Sequence, residues 1–363
     1  MAGLFGANVA AAAPLALTDA QRLALERSPQ LPAYDAAIAA AHEMAAAVPR
    51  LPEPTLALGV DWLPIAEHLT SAEARNALAE RYTREADRVS VQKTATRVEI
   101  ARETALAWID CHYVEQMTRV AADQLKSAQA EIEGAERMYW AGRLSQAEFY
   151  AARSMLVLFE DKSSEIEHGE RATRIALKRW VGDASDAPLA DLPNVDRIRL
   201  VPAALEGDLV RHPEVALLET QEALAASDER IARAAGQSAA QIAATRAKRD
   251  EIRAARAEKL RAEVAKMRIM IDAWLHARDR RERYARELVP LAHERTMATL
   301  AAYRGGKATL VEVLGARRAE TEAQMDSVEK ARDVARMWVR LSFALPDAVP
   351  AIPPRGPAAA SAQ

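Results

Sequence analysis

The chain has a single cysteine, Cys111, in 363 residues. That excludes an internal disulfide and any cysteine-built metal cluster. A lone buried thiol is tolerated in reducing and oxidising spaces alike, so Cys111 reads as a small core residue and leaves the compartment open. Aromatic residues make up only 5% although half the residues are apolar, and alanine supplies much of the rest. A deep globular core is not built this way; helices packed closely along their length are. No apolar run approaches the ~20 residues that a membrane-spanning helix needs. An excess of charge of one sign is also missing. There are 49 basic and 52 acidic residues, a net charge of −3. Arginines are dispersed among glutamates, as on solvated helix faces, and no basic block is interleaved with aromatics. Nucleic acid is therefore not expected as a partner.

Proline is absent from about Thr70 to Ala141, where Gly134 is the one glycine. Alanine, glutamate, arginine and glutamine dominate there, and seventy helical residues would extend about 105 Å. Beyond, apolar residues recur at steps of three and four: Phe149, Ala152, Leu156, Phe159, Ile166, Leu177 and Trp180. Ser163, Glu170 and Thr173 place polar groups in the same seam. The stripe predicts side-by-side coiled-coil packing. A proline-bearing connector follows, and helix resumes near Pro213 as far as Arg304, with Pro290 expected to kink it. A last helix is predicted from about Leu310 to Ala344.

"AGRLSQAEF" (141–149) interrupts the first rod, and "GGKATLVEV" (305–313) interrupts the second, with Gly142 and Gly306 164 residues apart. Each copy carries the same devices. A glycine, Gly142 or Gly306, can take the left-handed conformation that ends a helix. Ser145 with Glu148, and Thr309 with Glu312, have the spacing of a capping box. Leu144 with Phe149, and Ala308 with Val313, have that of a hydrophobic staple. Each copy reads as a tight reversal between long antiparallel helices. The match extends further. Tyr139, Arg143, Ala152 and Arg153 correspond to Tyr303, Lys307, Ala316 and Arg317. "LERSPQL" (25–31) corresponds to "LVRHPEV" (209–215), now 184 residues apart, so the second copy is shorter in its first part. Arg153 and Arg317 read as inter-helix or inter-protomer ion-pair residues, and Trp108, Trp274 and Trp338 as packing between helices.

The expected fold is all-α, a pair of duplicated long antiparallel coiled-coil hairpins with little or no strand. Residues 1–16 read as a signal remnant or a frayed, disordered terminus. Residues 17–183 form the first repeat, turning near 142–145, and 184–204 a connector. Residues 205–347 form the second repeat, turning near 306–309, and 348–363 a disordered tail. No catalytic constellation is present. The histidines, among them His42, His112, His168, His212, His276 and His293, form no H-x₃-H or H-E-x-x-H pair. No metal site, no cofactor and no enzymatic activity are implied.

"ERSPQLPAYDAAIAAA", "LPEPTLALGVDWLPI", "MYWAGRLSQAEFYAAR", "AYRGGKATLVEVLGARRA" and "ARMWVRLSFALP" together resemble the TolC family of outer-membrane efflux channels, over about residues 17–347. "LPEPTLALGVDWLP" is most similar to the heavy-metal branch that works with resistance-nodulation-division pumps. The resemblance implies a homotrimer in the cell envelope, with a helical barrel crossing the periplasm. It implies docking of a periplasmic adaptor (membrane fusion protein), and through it an inner-membrane pump. By position, Tyr139, Gly142, Leu144 and Ser145, with Tyr303, Gly306, Ala308 and Thr309, would be the docking edge. The chain departs from the family in one respect. Members contribute four membrane strands per protomer; here residues 54–63 are the one strand candidate. The second half has only a stretch around Gly236 that reads as helix or polar turn. Three such chains cannot close a barrel in lipid, so membrane insertion is not expected of this chain alone. A barrel-less helical scaffold, soluble and without transport, is the alternative.

Overall fold

The computed structural model describes residues 13–48 and 71–350; the strand candidate at 54–63 lies outside them. Nine α-helices account for most of the described residues: α1 Leu17–Arg27, α2 Gln30–Ala47, α3 Ala72–Trp140, α4 Gln146–Val181, α5 Leu205–Leu209, α6 Pro213–Ala234, α7 Ala239–Arg283, α8 Val289–Arg304 and α9 Leu310–Ser342. Among them no β-strand occurs, only an isolated parallel bridge between Leu15 and Leu189. The described residues are all-α, as long alanine-rich rods with little proline require.

Two compact units divide it. The first takes the residues up to Ala24, Glu103–Ile198 and Ile271–Arg340. Its core at the turn end joins three helices: Ala128, Ile132 and Ala135 of α3, Ala152 and Phe159 of α4, and Leu310 and Leu314 of α9. Small residues on α3 let the neighbours approach, and the larger side chains fill the space between axes. Farther from the turns, Met117, Ala121 and Ile166 pack with Met325 and Val328. On α4 the buried stripe is Phe149, Ala152, Phe159, Ser163, Ile166, Leu177 and Val181. Leu156 and Trp180 are only half-buried, and Val181 takes the place the spacing offered to Trp180. Glu170 in the seam accepts a hydrogen bond from the Thr118 hydroxyl at 2.6 Å, which satisfies the polar break. The connector is anchored on this unit: Arg174 donates to the carbonyls of Ser185 (2.6 Å) and Ala187 (3.1 Å) and pairs with Glu115. The indole N–H groups of Trp108 and Trp338 donate to the carbonyls of Leu15 (3.0 Å) and Arg197 (2.9 Å).

Pro290 has no N–H to give, and the backbone answers with a π-helical turn over Tyr284–Leu288 before α8 begins. The wider i→i−5 pitch absorbs the missing bond and the ring clash without ending the helix.

The second unit takes Leu25–Arg102, Arg199–Met270 and the residues from Leu341. Ion pairs hold α6 against α3, Arg81 to Asp228 at 2.6 Å and Arg230 to Glu80 at 2.5 Å. The buried Glu229 carboxylate of α6 meets Arg233 on its own helix and Arg246 and Arg249 on α7. The stretch around Gly236 is a third tight helical reversal. Gly236 takes φ +65°, Gln237 N–H closes on Ala232 O at 3.0 Å, and Ser238 exchanges bonds with Gln241. This turn joins α6 directly to α7.

Candidate functional site

The two predicted reversals are built alike, bond for bond. At the end of α3, Gly142 N–H reaches Tyr139 O at 2.9 Å and Arg143 N–H reaches Met138 O at 2.9 Å. At the end of α8, Gly306 N–H reaches Tyr303 O at 2.9 Å and Lys307 N–H reaches Ala302 O at 2.8 Å. These are the paired closing bonds of a Schellman turn. They need a left-handed residue, and Gly142 (φ +68°) and Gly306 (φ +69°) supply it. The next helix opens with a capping box in each case. Ser145 Oγ accepts from Glu148 N–H (3.3 Å) while Glu148 Oε2 accepts from Ser145 N–H (3.1 Å). Thr309 Oγ1 accepts from Glu312 N–H (3.3 Å) while Glu312 Oε2 accepts from Thr309 N–H (2.7 Å). The Ser145 hydroxyl and backbone N–H hold the Glu148 carboxyl below its ordinary range, and the Thr309 N–H and hydroxyl do the same for Glu312.

Of the eight residues expected at the docking edge, Gly142, Ser145, Gly306 and Thr309 are exposed, and Tyr139, Leu144, Tyr303 and Ala308 are half-buried. A Cβ at Gly142 or Gly306 would meet no atom within 4 Å, so both turns present bare backbone to solvent. Tyr139 stacks on Phe149 with ring centroids 4.8 Å apart and planes within 7°, which ties α3 to α4 at the turn. Leu144 and Tyr303 pack on the three-helix core. Burial, with Glu148 and Glu131 nearby, pushes the Tyr303 phenol up.

The structure brings the two turns together. The Tyr303 hydroxyl donates to Met138 Sδ at 3.3 Å. Behind it, Arg317 of α9 pairs with Glu131 of α3, its Nε 3.2 Å from both carboxylate oxygens, and reaches Gln124 Oε1 at 3.5 Å. Gln124 in turn donates to Gln324 at 3.2 Å. Arg153, the counterpart of Arg317, does not copy it: its guanidinium lies 5.9 Å from the Phe149 ring centroid. Met138, Glu131 and the exposed Trp140 next to the turn carried no spacing signal of their own. Among the described residues no cluster of His, Cys, Asp and Glu could hold a metal ion, and no helix is long and apolar enough to cross a membrane.

No protein-family model and no curated protein sequence matches the chain. Solved structures do. CusC superposes with a TM-score of 0.75 at 13% identity, over 90% of this chain and 91% of its own. The CmeC outer-membrane channel of Campylobacter jejuni gives 0.74 at 12% identity, over 90% and 85%. The outer-membrane protein VceC of Vibrio cholerae gives 0.70 at 15% identity, over 92% and 95%. The chain has the fold of the TolC-type channels. At such identities the TolC-type fold is what is shared.

Proposed function

We propose that the chain is the conduit component of a tripartite heavy-metal efflux system in the cell envelope, and that its two turns dock a periplasmic adaptor linked to an inner-membrane pump. The observation that carries this is the pair of turns. They are built identically, sit side by side through Tyr303 and Met138, and leave the backbone around Gly142 and Gly306 open. An adaptor's helical hairpin would meet Tyr139, Gly142, Leu144 and Ser145 together with Tyr303, Gly306, Ala308 and Thr309. Mechanism here means passive passage, gated where the hairpins pack. The heavy-metal cargo rests on the resemblance of "LPEPTLALGVDWLP" alone.

The homotrimer is what the family resemblance implies, and the duplicated sequence suggests how its copies would meet. Within the chain, α3 packs on α9 through Leu310 and Leu314, which are 2% and 0% exposed. The equivalent positions on α4 are Gln146 and Tyr150, and Tyr150 is 55% exposed. On α8, the helix equivalent to this part of α3, Leu291 is 61% exposed. A copy that repeats the α3–α9 joint would set its α4 on the α8 of its neighbour, a head-to-tail contact that closes into a ring.

A photo-crosslinking residue at Leu144 or Ala308 tests the docking. It should capture the adaptor when the chain is co-expressed with a candidate adaptor and pump, while the same residue at Ile269 should not. Equal capture at all three positions, or none, would sink the reading. A second reading, a barrel-less scaffold without transport, is favoured by the Gly236–Ser238 turn that joins α6 to α7 in the second copy. A full chain that stays monodisperse without detergent and never binds an adaptor would decide for it.

A further inference from the structure

The duplication allows the joint within the chain to be compared, residue by residue, with the joint it implies between copies. Inside the chain, Arg317 on α9 meets Glu131 on α3. Both side chains are mostly buried, 14% and 15% exposed, and the contact is a fork against a carboxylate. Shifted by the 164-residue repeat, Arg317 becomes Arg153 and Glu131 becomes Arg295. The joint between copies would therefore face an arginine with an arginine. The two stand at matched heights, eleven residues beyond Gly142 on α4 and eleven before Gly306 on α8. Helix is unbroken between each arginine and its turn-side helix end, so the register holds.

Among the described residues neither arginine has an ion-pair partner, and the Arg153 guanidinium lies only over the Phe149 ring, 5.9 Å from its centroid. Arg153 and Arg295 are exposed. Their neighbours three and four residues away on the same helix, among them Phe149, Leu291 and Thr299, offer no carboxylate. Thr299 uses its hydroxyl on the Arg295 carbonyl instead. Even the flanking pair changes: Gln124 and Gln324, which bond each other inside the chain, are replaced by Leu288 and Glu160.

We propose that the joint between neighbouring copies is an anion-accepting seam, in which Arg153 and Arg295 face each other and take a carboxylate from the docking partner. This rests on the ring assembly proposed above. Two guanidiniums left alone repel and hold the joint loose, whereas a carboxylate between them forms charge-assisted forks with both. The intrachain joint carries its carboxylate at the height of its arginine and stays shut, whereas Glu160 in the seam between copies stands seven residues from Arg153, about 10 Å along α4. Partner binding would then tighten one joint of each pair, giving the turns two unequal hinges.

The test is the self-association of the full chain by sedimentation velocity, with succinate as the carboxylate probe and chloride at matched ionic strength as reference. For the wild-type chain, succinate should tighten association. R295E, which rebuilds the Glu131–Arg317 pairing, should tighten it about tenfold or more in chloride and abolish the succinate effect, since like-charge juxtaposition at an interface costs several kcal/mol. R153E/R295E should return to weak association, a reversal that a mere change in net charge would not give. If the wild-type chain associates but R295E is no tighter, or succinate acts equally on both, the seam is wrong while the ring stands. If no form associates at any concentration, the ring and the seam fall together.

Discussion

The Tyr303 hydroxyl at the end of the second hairpin lies 3.3 Å from the Met138 sulfur at the end of the first. Thioether sulfur is a weak acceptor, so this bond orients the two turns more than it binds them. The strong link is two turns of helix behind it, between Arg317 and Glu131. Replacing Glu131 by Gln should leave a mostly buried guanidinium without its counter-charge. Because both groups keep some solvent contact, the cost should fall at about 2–3 kcal/mol, below that of a fully buried pair. Arg153→Ala, whose guanidinium is exposed, should cost under about 0.5 kcal/mol. Denaturant midpoints at unchanged slope would check both, and equal losses would contradict the assignment.

Gly142 and Gly306 make a second comparison. With no atom near a new Cβ, Gly142→Ala and Gly306→Ala should lose only the backbone term, about 1–2 kcal/mol each for a left-handed alanine. Gly305 has φ −85°, and a Cβ there meets carbonyl oxygens at 3.5 and 3.6 Å, which is ordinary contact. Gly305→Ala should be neutral or slightly stabilising. A neutral Gly306→Ala beside a damaging Gly305→Ala would refute the turn geometry.

The two capping glutamates give the turns a dependence on pH. Their carboxyls are held below the ordinary range in the folded chain. The folded state therefore prefers the ionised form. That contribution is complete above the unfolded carboxyl pKa and disappears as pH falls through the lower folded value. The third turn uses Gln241 in the same place and does not titrate. Hydrogen exchange at Arg143 and Lys307 should accelerate in acid relative to the intrinsic rate, and exchange at Gln237 should not. Parallel behaviour at all three would count against the capping account.

What could be read from the residues was what is local. Ser145 and Glu148 are three residues apart, so their bond is set before any tertiary contact forms, and the same holds for Thr309 and Glu312. The all-α fold followed from rods with no proline and an alanine-rich stripe. Arg317 read as an ion-pair residue, but its partner Glu131 was not legible, since the two lie 186 residues apart and meet only once α9 lies on α3. The Gly236 turn was half-legible because Ser238 follows the glycine by two residues rather than three. The π-turn before Pro290 had a visible cause but no visible form: one proline can kink, break or widen a helix, and the packing around it decides which.

Cys111 illustrates how burial governs chemistry as well as packing. It is wholly buried, and burial pushes its thiol up to about 12. The thiolate is the reactive form, so at pH 8 the native chain should resist alkylation and take up one equivalent of reagent only in denaturant. Rapid labelling of the folded chain would mean that α3 opens at this level.

The two hairpins differ inside, and that difference predicts unequal mobility. At the positions where the first hairpin has Ile132 and Leu156, the second has Thr296 and Glu320. Thr296 and Glu320 are 1% and 3% exposed. Thr296 satisfies its hydroxyl on the carbonyls of Ala292 and Ala316 at 3.1 and 3.2 Å. Glu320 meets His293 Nδ1 at 2.7 Å through one oxygen, but its other oxygen is buried without a partner. A half-satisfied buried carboxylate weakens the packing it sits in. The α8–α9 pair should therefore exchange its amides faster than the matching part of α3–α4. Glu320→Leu, which copies Leu156, should slow that exchange and stabilise the chain by about 1 kcal/mol or more, the freed His293 being 59% exposed and able to take water. If Glu320→Leu destabilises the chain instead, the carboxylate is a needed strut, and the second hairpin is no looser than the first.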